Sequence, residues 1–219
     1  VFTDGRSDCF INTFDSFKRN MDAVISHSMI IDDSADKSYA EWLDSNYGEL
    51  VDEIVHHQNK LGFGGTISRA WEMIPSDMKW AFHLEDDFIL NRPWQIYDAQ
   101  VIMQLRPNIA QVALLRQPWN DKEQSAGGIW QMHPEDYQEQ SFDNIRWMEH
   151  RRHFTTNPCL YPDWVWKIGW PECKSSEGIF SHVLLNGLET PEFPKSKGKW
   201  WDPFQTKCAY YGSKTDSPI

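Results

Sequence analysis

Residues 80–90 have the sequence Trp-Ala-Phe-His-Leu-Glu-Asp-Asp-Phe-Ile-Leu, an apolar run of strand type that ends in three consecutive carboxylates. Glu85, Asp86 and Asp87 repel one another and resist desolvation, so a divalent cation would help such a triplet to persist. Mg²⁺ and Mn²⁺ take oxygen ligands, often one or two carboxylates together with substrate phosphates. The end of this predicted strand is therefore a candidate site for Mn²⁺ or Mg²⁺ and a diphosphate. The alternative is a solvated acidic loop.

The first half of the chain alternates strand and helix patterns, which predicts an α/β fold with a mostly parallel twisted sheet and helices on both faces. A length of 219 residues suits a single domain. We expect strands at residues 1–3, 23–31, 80–84 and 110–115, and helices at 9–20, 39–55 (one or two helices), 67–74 and 94–105. In the second half we expect a β-ribbon at 138–154, helices at 163–168 and 176–186, and an active-site flap or a disordered end after residue 191.

The charge and composition argue against several classes of protein. The formal net charge is −11, and such an acidic surface repels nucleic-acid backbones, so strong DNA binding is not expected. No window of about 18 apolar residues is present, so no membrane span is predicted. The four cysteines form no C-x-x-C pair, which argues against a zinc site. Neither a signal peptide nor an N-x-S/T acceptor is visible, so we expect a cytoplasmic protein.

Two basic groups have simple structural interpretations. His56 and His57 are predicted on a helix, where neighbouring side chains point to different faces and cannot share a metal, so both are assigned to the surface. For a second, local basic cluster we favour a solvated face of the β-ribbon over contact with nucleic acid; it consists of Arg146, His150, Arg151, Arg152 and His153.

Carboxylates also follow the first two predicted strands. Asp4 follows the first, and Asp32 and Asp33 follow the second. In open α/β sheets, ligands bind outside the carboxyl ends of the strands, where carboxylates accept hydrogen bonds from ribose hydroxyls and base N–H groups. Arg6 and Arg69 can supply positive charge for phosphates.

A glycine-rich segment, Gly-Phe-Gly-Gly-Thr at 62–66, precedes a predicted helix. At Gly64 and Gly65 the helix start offers free N–H groups to an anion, or allows another backbone to approach closely. The segment lacks the Lys-Ser/Thr ending of a P-loop, and the chain has no Rossmann G-x-G-x-x-G.

This ordered set resembles the nucleotide-sugar-binding half of GT-A glycosyltransferases, over roughly residues 1–90. The Glu-Asp-Asp triplet is similar to the version of the D-x-D motif in N-acetylglucosaminyltransferase-like and related family 2-like inverting enzymes. The resemblance implies a GT-A type, Rossmann-like fold in which residues 1–115 bind the nucleotide sugar, with a UDP-sugar favoured. Residues 116–219 would form the acceptor-binding and catalytic half with a flexible C-terminal tail. The nucleotide-sugar contacts would come from Thr3, Asp4, Arg6, Asp32, Asp33, Gly64, Gly65, Arg69, Glu85 and Asp86. Asp87 would ligate Mn²⁺ or Mg²⁺ and take part in catalysis.

A looser similarity continues at Gly169-Trp170, followed by an acid that opens a predicted helix. In inverting members of this family that acid is the general base, and Glu177 matches it best. A helix N-terminus favours the ionised form, and a carboxylate can accept the proton of an attacking hydroxyl. The alternative is that Glu177 only stabilises its helix. Contact with the donor sugar or the acceptor is assigned to His182 and to a predicted loop, with a plain surface loop as the alternative; the loop residues are Arg116, Trp119, Asn120 and Glu123.

The chain departs from the family at its C-terminal end. The family often has a metal-binding His in a His-x-Gly setting, whereas this chain has Tyr210-Tyr211-Gly212. Tyrosine is a poor ligand for Mg²⁺ or Mn²⁺, so metal binding would rest on Asp87, the diphosphate and water. Lys207 and Lys214 are then candidate cations for the leaving diphosphate.

These observations predict a metal-dependent, inverting transfer of a sugar to an acceptor hydroxyl on a glycan, a protein or a modified nucleobase. One alternative is a nucleotidyltransferase or pyrophosphorylase, for which Asp4-Gly5-Arg6 is only a thin version of the usual phosphate loop. The other is a non-catalytic carbohydrate-binding module, which the 12 Trp residues would suit. The sequence identifies neither the sugar, the base and the acceptor nor an oligomeric state.

Overall fold

The computed structural model describes residues 1–114, 133–189 and 201–212. The strands are β1 (Phe2–Thr3), β2 (Met21–Asp22), β3 (Met29–Asp32), β4 (Glu53–His56), β5 (Trp80–His83), β6 (Trp94–Gln95), β7 (Ile109–Leu114), β8 (Gln138–Phe142), β9 (Ile145–His150), β10 (Cys159–Pro162) and β11 (Lys207–Tyr211). The helices are α1 (Ser7–Asn20), α2 (Lys37–Tyr47), α3 (Gly62–Met73), α4 (Ile96–Leu105), α5 (Asp163–Trp166) and α6 (Ser176–Asn186). Of the helices in these ranges, none is both long enough and apolar enough to cross a bilayer.

Local sequence explains where several helices begin and end. The carboxylate of Asp36 accepts the first backbone N–H groups of α2 and so caps that helix. Gly187 ends α6 with a positive φ of 64°, a conformation that costs glycine little. In α1, Phe10 and Phe17 lie on one face and are buried.

The strands form two larger sheets that meet at β1 and β5. In the first, β4, β3 and β1 are adjacent in that order and all parallel. In the second, the order is β5-β10-β7-β11-β9-β8, while β2 and β6 form a separate parallel pair. The N–H of Phe2 donates to the carbonyl oxygen of Leu84 at 2.8 Å, and a parallel bridge joins Phe2 to Glu85. The carboxyl ends of β1, β3, β4 and β5 therefore share one side of the sheet, which we call the carboxylate edge.

The predicted α/β class is confirmed, but the expectation of a mostly parallel sheet is wrong for the second half of the chain. In the six-stranded sheet, β10 runs antiparallel to β5 and β7, β9 runs antiparallel to β11 and β8, and only β7 and β11 are parallel. Antiparallel neighbours can be joined by short turns and need no crossover helix. The β8–β9 hairpin shows this, since its turn needs only Asp143, at a φ of 49°, and Asn144. The domain is therefore a mixed-sheet α/β unit.

Helices cover both faces of the six-stranded sheet, as predicted. Along β10, Cys159 and Tyr161 face a core that includes side chains of α3 and α6. Leu160 faces the opposite core, which includes side chains of α1 and α4. Alternate strand residues thus bury both faces, and each large apolar side chain removed from water contributes about 1.5–3 kcal/mol.

Three element predictions need correction. The strand expected at 23–31 is shorter, since β3 begins only at Met29. Residues 39–55 are not one continuous helical region, because α2 ends at Tyr47 and Ile54 and Val55 belong to the parallel strand β4. The expected flap or disordered end contains β11, which lies between β7 and β9 and buries Cys208 and Tyr210. This corrects the prediction of a flexible tail for residues 201–212; residues 190–200 and 213–219 lie outside the described ranges.

Most of the basic cluster around β9 is bound to other parts of the protein and does not form a solvated face. His150 is buried and stacks on Tyr210, with ring centroids 5.0 Å apart, and His153 Nε2 bonds the Tyr210 hydroxyl at 2.7 Å. Arg151 donates to two backbone carbonyl oxygens, at 2.8 and 3.1 Å, and Arg152 pairs with a carboxylate at 3.3 Å. The prediction was wrong for these four residues, because β9 and the turn after it direct their side chains into local partners, whereas Arg146 is exposed as expected.

Acid should destabilise the protein through the two buried histidines. Burial, with help from the charge of Arg152, lowers the pKa of His153 to about 4 and that of His150 well below 6.5. The unfolded chain therefore binds protons that the folded chain does not, and the free energy of unfolding falls as the pH drops below 6.5. In urea titrations, His153→Gln should reduce this pH slope by up to about 1.4 kcal/mol per pH unit. The control His182→Gln, at an exposed position of α6, should keep the wild-type slope; an unchanged slope in His153→Gln would contradict the assignment.

The start of α3 packs directly on the backbone of residues 171–173. A Cβ placed on Gly64 would lie 2.8 Å from the carbonyl oxygens of both Pro171 and Cys173. Backbone atoms cannot move aside as a flexible side chain can, so this helix position requires glycine. Ser68, one turn further on, donates to Glu172 at 3.1 Å and holds the same two segments together.

Two helical glycines should respond to alanine in opposite directions. Gly64→Ala should destabilise the fold by about 1–3 kcal/mol because its methyl group overpacks the contact with residues 171–173. Gly178→Ala in α6 meets nothing within 4 Å and should stabilise by about 0.5–1 kcal/mol through helix propensity. Urea unfolding of both variants measures the difference, and a neutral Gly64→Ala would show that the packing is looser than described.

Candidate functional site at the carboxylate edge

Asp86 connects the ends of β1 and β5. Its side chain is 1 % exposed, and Oδ2 accepts hydrogen bonds from Thr3 Oγ1 at 2.7 Å and from the Asp4 N–H at 3.4 Å. Arg6 forms an ion pair with Oδ1. Thr3 Oγ1 also contacts the Tyr39 hydroxyl at 2.6 Å, which brings α2 into the same buried network. Both oxygens of Asp86 are thus occupied by protein groups.

Arg6 also reaches the next carboxylate of the triplet. Its Nη1 lies 3.4 Å from Asp87 Oδ2, and both side chains are about half exposed, at 49 % and 44 %. Burial works against the charged guanidinium, but the two carboxylates outweigh it and raise the pKa of Arg6. Burial raises the pKa of Asp86, although Thr3 and Arg6 partly offset that shift. The guanidinium of Arg6 therefore pairs with both Asp86 and Asp87.

Asp33 holds the start of α3 against the end of β3. Its oxygens accept the backbone N–H groups of Leu61 at 2.8 Å and Gly62 at 2.9 Å, and Oδ1 lies 2.9 Å from His57 Nδ1. Burial alone would raise the pKa of Asp33, but these hydrogen bonds prevail and lower it. Asp33 is therefore ionised, and its hydrogen bonds position both α3 and His57.

His57 is a site residue that the sequence did not predict. Because ionised Asp33 can only accept, the proton of a neutral His57 ring lies on Nδ1 and leaves Nε2 as an acceptor. The side chain is 9 % exposed, and Nε2 is buried with no hydrogen-bond partner among the described residues. A buried unpaired polar atom costs about 1–3 kcal/mol, so a ligand that donates to Nε2 would recover this energy. The signal in the sequence was a His pair after Ile-Val, the ending of a strand.

His56, like His57, was predicted to be a surface residue on a helix, and this prediction is also wrong. It belongs to β4, and its Nδ1 and Nε2 contact Asp32 at 2.9 Å and Asp44 at 3.1 Å. Burial works against the charged ring, but the two carboxylates prevail and raise the pKa of His56. Asp32 also accepts the N–H of Ser34 at 2.8 Å, so this acid is held inside the protein and fixes the end of β3.

Four more residues were predicted to contact the nucleotide sugar, and they do not lie together in one open site. Asp4 pairs with Lys60 at 2.6 Å and stays exposed at the edge. Arg69 pairs with Glu72 at 3.1 Å on the surface of α3, and the structure does not bring it into contact with the edge residues. Gly64 faces backbone rather than an open anion site, and a Cβ on Gly65 would lie 2.9 Å from a side-chain atom of its own helix start. The glycines thus serve close packing.

Glu177, in the first turn of α6, contacts the segment that leads into β10. Its Oε1 accepts the N–H of Thr156 at 2.8 Å and lies 3.4 Å from the Thr156 hydroxyl. Thr156 lies three residues before β10, whose first residue, Cys159, pairs with His83 at the end of β5. Burial raises the pKa of the Cys159 thiol, and the charges of Glu85 and Glu177 both add to the shift. The general-base candidate and the acidic triplet therefore lie near the same buried thiol.

Two further candidates among the described residues are not gathered at the edge. His182 lies on an exposed face of α6, about 140° around the helix from Glu177, and contacts Asn186 at 3.2 Å. Lys207 lies at the amino end of β11, where it pairs with buried Glu149 at 2.6 Å, so its proposed contact with a diphosphate is wrong. Lys214 lies outside the described residues, as do the predicted loop residues Arg116, Trp119, Asn120 and Glu123.

The donor groups at the triplet suit a cation that is shared with a substrate. Thr3 and Arg6 enclose Asp86, so the carboxylates left for a cation are Asp87 and Glu85. Glu85 Oε1 lies 3.3 Å from His83 Nε2. Mg²⁺ commonly binds through one or two carboxylates plus phosphate oxygens, so these residues fit such a site but not an all-protein cage. Elsewhere in the described ranges, a compact group of potential ligands lies after the segment 115–132; it consists of His133, Glu135 and Asp136.

The sequence matches no model of a known protein family and none of the curated proteins with which it was compared. Asp4, Asp33 and Asp87 lie at one edge, connected through Lys60, Arg6 and the backbone of β1 and α3.

Removal of the Thr3 hydroxyl should weaken the fold at this edge. Thr3→Val leaves one oxygen of buried Asp86 and the Tyr39 hydroxyl without their shared partner, which should cost about 1–3 kcal/mol. Thr13 in α1 is a matched control, because its hydroxyl is buried without a partner in the described structure. Thr13→Val should be neutral or stabilising, and equal effects of the two substitutions in urea unfolding would contradict the Asp86 network.

Proposed function

We propose that this chain is a metal-dependent glycosyltransferase of GT-A type that transfers a sugar, with inversion, from a nucleotide diphosphate sugar to an acceptor hydroxyl. A UDP-sugar is the favoured donor. The observation that carries the proposal is the convergence of strand ends, because β1, β3, β4 and β5 bring their following acids and histidines to one edge. Ligands of open α/β sheets bind at such edges.

The nucleoside is assigned to the ends of β1 and β4. His57 offers a buried acceptor at Nε2, which suits an N–H or O–H group of a base or ribose. Asp33 fixes the ring orientation of His57 through Nδ1. Asp4, at the end of β1, can accept from ribose once Lys60 moves aside, since that ion pair is exposed and contributes little.

The diphosphate is assigned to Arg6 and Asp87. A guanidinium fork donates well to phosphate oxygens, and Arg6 is already held at the edge by Asp86. Asp87, with Glu85 beside it, would hold Mn²⁺ or Mg²⁺, and such an ion neutralises the charge of a departing diphosphate. Asp86 has a different role here from the one expected, because it positions Arg6 and Thr3.

Glu177 is assigned as the general base. Thr156 holds Oε1, while Oε2 has no hydrogen-bond partner among the described residues and can accept the proton of an acceptor hydroxyl. Glu177 lies in the first turn of α6. Attack by that hydroxyl on the side opposite the diphosphate inverts the anomeric centre. The division into a donor half, 1–115, and an acceptor half, 116–219, remains a prediction.

Two isosteric substitutions test these roles. In a screen of UDP-sugars with Mn²⁺, the wild type should release UDP, and Asp87→Asn and Glu177→Gln should each lower kcat/KM by about 10²-fold or more. Gln at 177 can still accept from Thr156, so Glu177→Gln should reduce kcat with little change in the donor KM. Asp163→Asn is the control, because Asp163 pairs with Lys167 at the other end of β10 and should not affect turnover.

The same screen separates the proposal from its alternatives. A pyrophosphorylase would exchange pyrophosphate into the nucleotide sugar instead of releasing UDP. A carbohydrate-binding module would show no thermal shift with UDP and Mn²⁺. Either result, or full activity of Asp87→Asn, would refute the transferase proposal.

A further inference from the structure

A guanidinium already occupies the place that a cation would take beside Asp87. Arg6 contacts Asp86 and Asp87 together, in a fork between two neighbouring carboxylates of the triplet. The two contacts differ in kind. The Asp86 contact is short and its carboxylate is almost fully buried, whereas the Asp87 contact is 3.4 Å long between two half-exposed groups.

This arrangement opposes the binding of a free metal ion. A divalent cation at Asp87 would face the positive charge of Arg6 at close range, and it would also have to replace the Arg6–Asp87 contact. An arginine cannot relieve this repulsion by losing its proton, because guanidinium stays charged in proteins. The exposed Asp87 contact is the weaker of the two, so it is the one that opens when a ligand arrives.

A diphosphate changes the balance because it carries enough negative charge for both cations. Its oxygens can bind Arg6, which remains tied to Asp86, while other oxygens share the metal with Asp87. We propose that Arg6 is a built-in counter-ion that keeps the cation affinity of Asp87 low until a diphosphate binds, so that cation and diphosphate bind with positive coupling. The inference rests on the cation site of the proposed function, and the coupling is reciprocal by thermodynamic necessity.

The first experiment uses the metal alone. Free Mn²⁺ is measured by electron paramagnetic resonance during titration of the whole chain, without nucleotide. Arg6→Gln should bind Mn²⁺ about five- to tenfold more tightly than the wild type, because it removes both the competing contact and the repulsion.

Lys60→Gln is the matched control for net charge. It also removes one positive charge at the same edge, but Lys60 contacts Asp4 and not Asp86 or Asp87. Its Mn²⁺ affinity should stay within about twofold of the wild type, since exposed charges at longer range are screened. An Arg6→Gln variant that binds no more tightly than the wild type, or a Lys60→Gln variant with the same gain, overturns the proposal.

Two further variants locate the metal and guard against misfolding. In the Arg6→Gln background, Asp87→Asn should abolish the gain, and a gain that persists would place the ion elsewhere and overturn the proposal. If Arg6→Gln does not fold because buried Asp86 loses its charge partner, Arg6→Lys carries the test. A single ammonium cannot contact both carboxylates as a fork does, so Arg6→Lys should bind Mn²⁺ more tightly than the wild type, and equal affinity overturns the proposal.

The coupling is tested with UDP. Mn²⁺ should lower the UDP dissociation constant by a larger factor in the wild type than in Arg6→Gln, and equal factors would overturn the coupling. If UDP binds to neither protein, the proposed function and the coupling both fail. The Mn²⁺ titration alone still decides whether Arg6 competes with a cation at Asp87.

Discussion

The carboxylate of Asp86 is nearly inaccessible to water, and it is tolerated there because Thr3, the Asp4 N–H and Arg6 surround it. Those partners all belong to the end of β1 or the turn after it, whereas Asp86 follows β5. The hydrogen bonds therefore reinforce the Phe2–Leu84 contact that joins the parallel and the mixed sheet. Removing one partner leaves a buried charge underpaired, so the position of the whole edge depends on this group.

The acids of the edge have two different roles. Asp32, Asp33 and Asp86 are buried and bind protein donors, and they fix the ends of three strands and the start of α3. Asp4 and Asp87 are about half exposed, and among the described residues their carboxylates contact only flexible cationic side chains. The inner acids make the edge rigid, and the outer acids keep oxygens that a ligand can reach. This separation is what a site needs if its groups must be positioned before the substrate arrives.

The sequence predicted the general frame but not these roles. Phenylalanines at helical spacing located α1, while Gly, Pro and cap residues marked α3, α4 and α6. Apolar runs located β5 and β7. These patterns failed at β4, where only the two central residues, Ile54 and Val55, are apolar, and at β11, whose partners β7 and β9 are distant in the chain. They also could not separate Asp86 from Asp87, since two adjacent acids differ only in which way the strand end turns them. His57 was missed for the same reason as β4.

The charge balance at the edge explains why a cation and a diphosphate would bind together. In the absence of ligand, Arg6 pairs with Asp86 and Asp87 and Lys60 pairs with Asp4, so a lone cation finds these carboxylates already paired and a lone anion meets the remaining acids. A cation that arrives with a diphosphate lets the partners exchange, because Arg6 turns to phosphate oxygens as Asp87 turns to the metal. In such an exchange Arg6 and Asp87 change partners, and few charges are left unpaired. The same pairings that keep an acidic edge stable thus favour a metal-bound diphosphate over either component alone.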